Sequence, residues 1–170
     1  MPVNYISFPR TETPQTFYGQ IIQVFNNHFA EISSEDLEQH LTSNQVLDVV
    51  GEGLEQIGFL VEGRQQVTIH RPVFFGENGE PTVRYQIDSY QPNWNCGLEV
   101  EAGRSWNGNA VHRDLIQGLV MTDVDFLVIA VPKLYRPGNI RPYDKTKDLA
   151  EALYGHSRIN LPYRLLIIGY

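Results

Sequence analysis

Two uninterrupted apolar runs narrow the choice of fold most: Phe126 to Val131 (FLVIAV) and the RLLIIGY that ends the sequence. A strand with one wet face alternates apolar and polar residues, so an unbroken run reads as a central strand covered on both faces. Helical patterns precede both runs. Val111, Leu115 and Leu119 repeat every four residues with Ile116 and Val120 adjoining, and KTKDLAEALYG covers about 145–154. Asn107 or Asn109 is placed to cap the first of these helices. Strand–helix–strand order requires parallel crossovers, so this half of the chain reads as an α/β sheet with helices on both faces.

The first half reads differently. Phe17, Ile21, Phe25 and Phe29 form the stripe of an amphipathic helix over about 14–31. A second helix over about 44–57 sets Val46, Val50, Leu54 and Ile57 opposite Asp48, Glu52 and Glu55, and it tolerates Gly51 and Gly53 in its interior. Three β-rich segments follow. VTIHRPVFF (67–75) and VRYQID (83–88) are joined by a turn in which Asn78-Gly79 is a strong hairpin signal, and GLEVEA (97–102) comes after a short loop. They read as an antiparallel three-strand meander, making the whole a mixed sheet in one domain spanning 1–170. With 170 residues there is enough chain to bury a substantial core.

Charge and cysteine content limit the chemistry. Cys96 is the only cysteine, which excludes an intramolecular disulfide and a cysteine zinc cage. The start has neither the charged nor the apolar region of a secretory signal, so a cytoplasmic location is expected. A net charge of −7 opposes a polyanionic partner, but its distribution softens the objection: residues 1–62 hold nine acids and only Arg10, whereas 132–170 hold seven bases against three acids. The loop PKLYRPGNIRPYDK in that basic third carries Arg136, Arg141 and Lys145 beside Tyr135 and Tyr143, a composition suited to gripping a phosphate backbone or to a plain solvated loop.

Alternation in VRYQID puts Val83, Tyr85 and Ile87 on one face and Asp88 on the other, while Glu99 and Glu101 share a face of GLEVEA. Three carboxylates on neighbouring strands can therefore converge, and hard cations such as Mg²⁺ take one or two carboxylates plus waters and substrate phosphate. A Glu-x-Glu pair is also what the solvated face of an antiparallel sheet looks like.

Ile87-Asp88, a ten-residue gap and Glu99-Val100-Glu101, within a helix, three strands, helix, strand order, resemble the PD-(D/E)XK nuclease superfamily of restriction-endonuclease-like proteins over about residues 44–131. The resemblance implies a Mg²⁺-dependent endonuclease acting on DNA (Mn²⁺ substituting), with Asp88 and Glu99 as metal ligands, the backbone carbonyl of Val100 contributing, and Glu52 or Glu55 placed to add an acid from the preceding helix. Glu101 stands where the family usually has Lys, a variant known in a minority of restriction endonucleases, and Ile87 replaces the Pro. Glu101 would then orient or deprotonate the attacking water. Arg104, Arg113, Arg136, Arg141 and Lys145 are candidate DNA contacts; Arg104 could equally form a plain ion pair, and His112, Arg113 and Gln117 could meet a phosphate or simply occupy the surface. Homodimerisation is open to such a chain. A catalytically inactive restriction-endonuclease-like fold that serves as an interaction or nucleic-acid-binding module remains the alternative.

Overall fold

The computed structural model describes residues 3–33, 40–103, 109–136 and 138–170. Its centre is a six-stranded mixed sheet in the order β1-β8-β7-β6-β5-β2, built from β1 (Asn4–Phe8), β2 (Leu60–Val61), β5 (Ser89–Gln91), β6 (Cys96–Val100), β7 (Phe126–Val131) and β8 (Arg164–Gly169). β6, β7 and β8 run parallel, whereas β2, β5 and β1 pair antiparallel with their neighbours. The two apolar runs are the central strands β7 and β8, and the parallel crossovers between β6, β7 and β8 pass through α4 (Ala110–Val120) and α5 (Pro142–Gly155). Among the described residues no helix is long and apolar enough to cross a membrane.

Both faces of the sheet are covered, by two separate cores. Val128, Ala130, Leu166 and Ile168 pack with Cys96, Leu98 and Val100 against α1 (Tyr18–Asn27), α2 (Phe29–Ile32) and α3 (Ser43–Gln56). Leu127, Ile129, Leu165 and Ile167 pack the other way, against Val111 and Leu115 of α4 and Tyr143 and Ala150 of α5. Alternate residues of one strand thus feed opposite layers, which is why neither run could spare a polar position.

The helix expected over 14–31 is shorter and broken: α1 ends at Asn27, and α2 restarts after His28, whose ψ of 9° leaves the helical range. α3 matches its pattern closely. Thr42 caps it in a capping box with Gln45, and its two glycines are explained by close packing. A Cβ on Gly53 would come within 2.8 Å of Val24 on α1, and one on Gly51 within 2.8 Å of the Arg64 side chain.

The meander needs one correction. The segment expected as its first strand, β3 (Ile69–Phe75), pairs only with β4 (Pro81–Ile87), and the two form a separate hairpin. The meander of the main sheet is β2-β5-β6. The chain bends at Asp88, between β4 and β5, so VRYQID does not continue straight into the sheet. A two-residue strand such as β2 and the short N-terminal β1 carry too few residues to announce themselves by alternation.

Candidate active site

The bend at Asp88 and the alternation of β6 together build the site. Leu98 and Val100 of β6 enter the α1–α3 core, so Glu99 is turned to the opposite, α4-covered face, where it is only 6% exposed. Ser89 pairs with Leu98, which brings Asp88 beside Glu99. The two residues are cross-linked through the backbone. Asp88 Oδ2 accepts the Val100 N–H at 2.8 Å, and Glu99 Oε2 accepts the Asp88 N–H at 3.4 Å. Together with Gln86, Ile87, Arg113 and Gln117 they line a cleft of about 280 Å³.

Beyond the cleft lies a second half of the cluster. Glu101 follows the end of β6 and donates its N–H to the Ala130 carbonyl at 2.8 Å, while the Tyr170 hydroxyl donates to the Glu101 carbonyl at 2.8 Å. Its carboxyl turns to α4, where Arg113 Nη2 lies 3.3 Å from Glu101 Oε1 and 3.1 Å from Asp114 Oδ1. Asp114 is 1% exposed and close enough to Glu101 to raise its carboxyl, and its Oδ2 has no hydrogen-bond partner among the described residues. The sequence reading passed over Asp114. Its signal was an acid at 114 inside the stripe of Val111, Leu115 and Gly118, since a charge on a buried helix face is rare without a partner or a function.

Crowding sets the electrostatics. Burial pushes the Asp88 carboxyl up to about 6, opposed by the Val100 N–H and reinforced by Asp114 and Glu62. Burial, then the charges of Asp88 and Asp114, raises Glu99 well above the ordinary glutamate range. Glu101 is pushed up to about 8 by burial and by Asp114, with Arg113 pulling the other way. Asp114 is raised by burial, against its bonds to Glu101 and Arg113. Four acids share this space with one guanidinium, so they must either hold protons or attract a cation.

The donor set fits a sparse Mg²⁺ site. Among the described residues no group of three or more His, Cys, Asp or Glu side chains is arranged to enclose a metal ion. Two adjacent carboxylates facing an open cleft are nonetheless the usual protein share for Mg²⁺, whose other ligands are water and phosphate oxygens. Glu52 and Glu55 do not join this pair. Glu52 lines a separate groove between α1 and α3, and Glu55 is ion-paired with Arg64 at 2.9 Å.

The other candidates scatter. Arg113 and Gln117 reach the cleft wall, and His112 sits beside them on α4, half-buried. Arg136 is exposed after β7, Arg141 lies 3.7 Å from Asp144 at the start of α5, and Lys145 follows on α5; none lines the cleft. Arg136 and Arg141 lie on the segment that leaves β7 at the same end of the sheet as Glu101, whereas Lys145, expected in that loop, is in the first turn of α5. Trp94 is a packing residue stacked on Phe17 with ring centroids 4.6 Å apart. Arg104, Trp106 and Asn107 lie outside the described residues.

No family model matches the sequence, and no curated protein matches it. Among solved structures the chain is similar to restriction endonuclease BglII complexed with a DNA 16-mer, with a TM-score of 0.50 and 8% sequence identity over 99% of this chain and 76% of that one. At such low identity the likeness concerns architecture, and the chain has a restriction-endonuclease-like fold.

Proposed function

We propose that this chain is a divalent-metal-dependent nuclease of the PD-(D/E)XK type, acting on DNA, with Glu at the third motif position. The observation that carries the reading is the Asp88–Glu99 pair, held side by side at the mouth of a cleft on a restriction-endonuclease-like sheet. Mg²⁺ or Mn²⁺ bound between the two would activate water and offset charge on the scissile phosphate. Asp88 and Glu99 would hold the ion, with the Val100 carbonyl as the backbone donor that the family resemblance implies. BglII was solved with DNA, which supports DNA as the substrate class.

The remaining residues divide the work by position. Arg113 and Gln117 stand on the opposite wall of the cleft and meet the phosphate. Glu101, whose carboxyl burial and Asp114 push up to about 8 and Arg113 pulls down, would orient the attacking water or, once deprotonated, take its proton. Arg136 and Arg141 of the segment after β7, with Lys145 at the start of α5, hold the backbone away from the reacting bond. One observation favours the non-catalytic alternative: Arg113 already engages Glu101, the residue at the third motif position.

Supercoiled plasmid incubated with purified protein and Mg²⁺ or Mn²⁺ separates the two readings. Nicking that disappears in Asp88→Asn and in Glu99→Gln supports the nuclease. Duplex binding without cleavage under either metal supports the binding module and refutes the nuclease.

A further inference from the structure

The β3–β4 hairpin stands apart from the six-stranded sheet. Ile69 and Ile87 anchor it in the α4-side core, and Arg71 at the next pair is clamped by Asp123 and stacked over Tyr90. Beyond it Val73 is still buried and Thr122 donates to the Pro72 carbonyl, but Phe74 is 63% and Phe75 56% exposed, and Val83, Arg84, Tyr85 and Gln86 of β4 face solvent. Two exposed phenylalanines in succession are costly in water unless something covers them.

Charge identifies the occupant. In a chain of net charge −7, the two strands IHRPVFF and PTVRYQI hold no Asp or Glu, and they carry Arg71, Arg84 and His70. Most arginines described above are tied to acids: Arg64 to Glu55, Arg71 to Asp123, Arg113 to Glu101 and Asp114, Arg141 to Asp144. Arg84 and His70, by contrast, have no hydrogen-bond or ion-pair partner among the described residues. They stand on one face, because His70 pairs with Gln86 and Pro72 with Arg84 across the hairpin, and Gln86 is itself a wall of the cleft. The two strands themselves thus carry no acid; at its inner end this face meets Glu62, whose Oε1 accepts a hydrogen bond from the Gln86 amide, and further out it carries His70 and Arg84.

We propose that this hairpin is a DNA-reading arm: a two-stranded ribbon that lies in the major groove of B-form DNA, with His70, Arg84 and Gln86 contacting the duplex while a phosphate rests at Asp88 and Glu99. The inference rests on the nuclease reading for the position of that phosphate. The dimensions suit it. Seven residues per strand extend for about 24 Å at ~3.4 Å per residue, and a two-stranded ribbon fits a B-DNA major groove about 12 Å wide. The major groove of A-form RNA is too narrow and deep for the same approach. Glu77 and Glu80 at the tip oppose burying the turn against phosphates, so the strand face rather than the turn makes the contact.

The test is duplex binding by the full chain in EDTA, by fluorescence anisotropy, on a mixed-sequence duplex about three helical turns long. Arg84→Ala should weaken binding about 5- to 10-fold and flatten the slope of log K against log salt by about 1, while Arg84→Lys keeps the slope. The His70→Ala and Gln86→Ala pair should weaken binding further; melting temperatures should be unchanged in Arg84→Ala and His70→Ala, whose side chains are exposed, whereas Gln86→Ala also removes a hydrogen bond to Glu62. Duplex RNA should compete poorly. If the variants bind DNA as the wild type does, or RNA competes equally, the arm is refuted while plasmid cleavage still decides the nuclease reading. Lost binding in the variants of a protein that cleaves nothing keeps the arm and removes the nuclease. A wild type that binds no duplex, or variants that alter only self-association in sedimentation, overturn the arm outright.

Discussion

Removing the candidate metal ligand Asp88 should stabilise the metal-free protein at alkaline pH and abolish its response to Mg²⁺. A carboxyl whose folded pKa is raised contributes stability that is fully present below its unfolded pKa and is lost as pH rises through the folded value. For Asp88 the window runs from 3.8 to about 6, a difference on the order of 3 kcal/mol. Relaxation and water entry at the cleft reduce this, so about 1 to 3 kcal/mol is the working range, or roughly 2 to 10 °C in melting temperature for a chain of this size. Glu101 extends the loss towards pH 8. Asp88→Asn keeps an oxygen to accept the Val100 N–H and deletes the charge, so in EDTA its melting curve should lie above wild type at pH 8 and converge with it near pH 4. Mg²⁺ should raise the wild-type melting temperature at pH 8, by about 1.4 kcal/mol at ten times its Kd, and should do nothing for Asp88→Asn. Differential scanning fluorimetry across pH with and without Mg²⁺ reads all of this. A variant less stable than wild type at pH 8, or an equal Mg²⁺ response in the two proteins, would falsify the paired-carboxylate metal site.

Three further outcomes follow from other parts of the structure. Glu101→Gln should leave Mg²⁺ binding intact but remove the rise in cleavage rate on passing pH 8, with about a 10²- to 10⁴-fold loss above that pH; a pH–rate profile identical to wild type would end any catalytic role for Glu101. Replacing Arg136, Arg141 and Lys145 together should flatten the salt dependence of DNA binding by up to about three phosphate contacts, and an unchanged slope would place the DNA elsewhere. Gly97→Ala should cost about 1 to 3 kcal/mol in denaturant unfolding, because its Cβ would sit 2.3 Å from the Ile87 side chain next to Asp88; full wild-type stability would show that Ile87 can move aside freely.

What the sequence revealed depended on whether a residue's role repeats at a fixed local period. α3 and α4 could be read from their 3.6-residue stripes, and the central strands β7 and β8 from their unbroken apolar runs, because burial on both faces leaves no position for a polar side chain. β6 was legible as well: Leu98 and Val100 alternate with Glu99, and the structure assigns the first two to one core and Glu99 to the other face. Asp88 does come beside Glu99, but through β5 (Ser89–Gln91), a segment expected as loop, and not through the expected pairing of VRYQID with GLEVEA.

The tertiary structure decided whatever depends on elements far apart in the chain. No local pattern shows that 67–75 leaves the sheet as a hairpin arm, because alternation is the same in a paired ribbon and in a sheet; the bend at Asp88 and the two-residue β2 determine it. Glu52 and Glu55 lie on the predicted helix, yet the packing of α3 against α1 and the ion pair with Arg64 take them away from the cleft. Asp114 enters the cluster only because α4 crosses the end of β6, and its effect on Glu101 is a through-space interaction between carboxyls 13 residues apart in sequence. The sequence alone determined the alternation that turns each carboxylate to one face of the sheet. Packing between layers decided which carboxylates meet, because burial and repulsion depend on distance in space and not on distance along the chain.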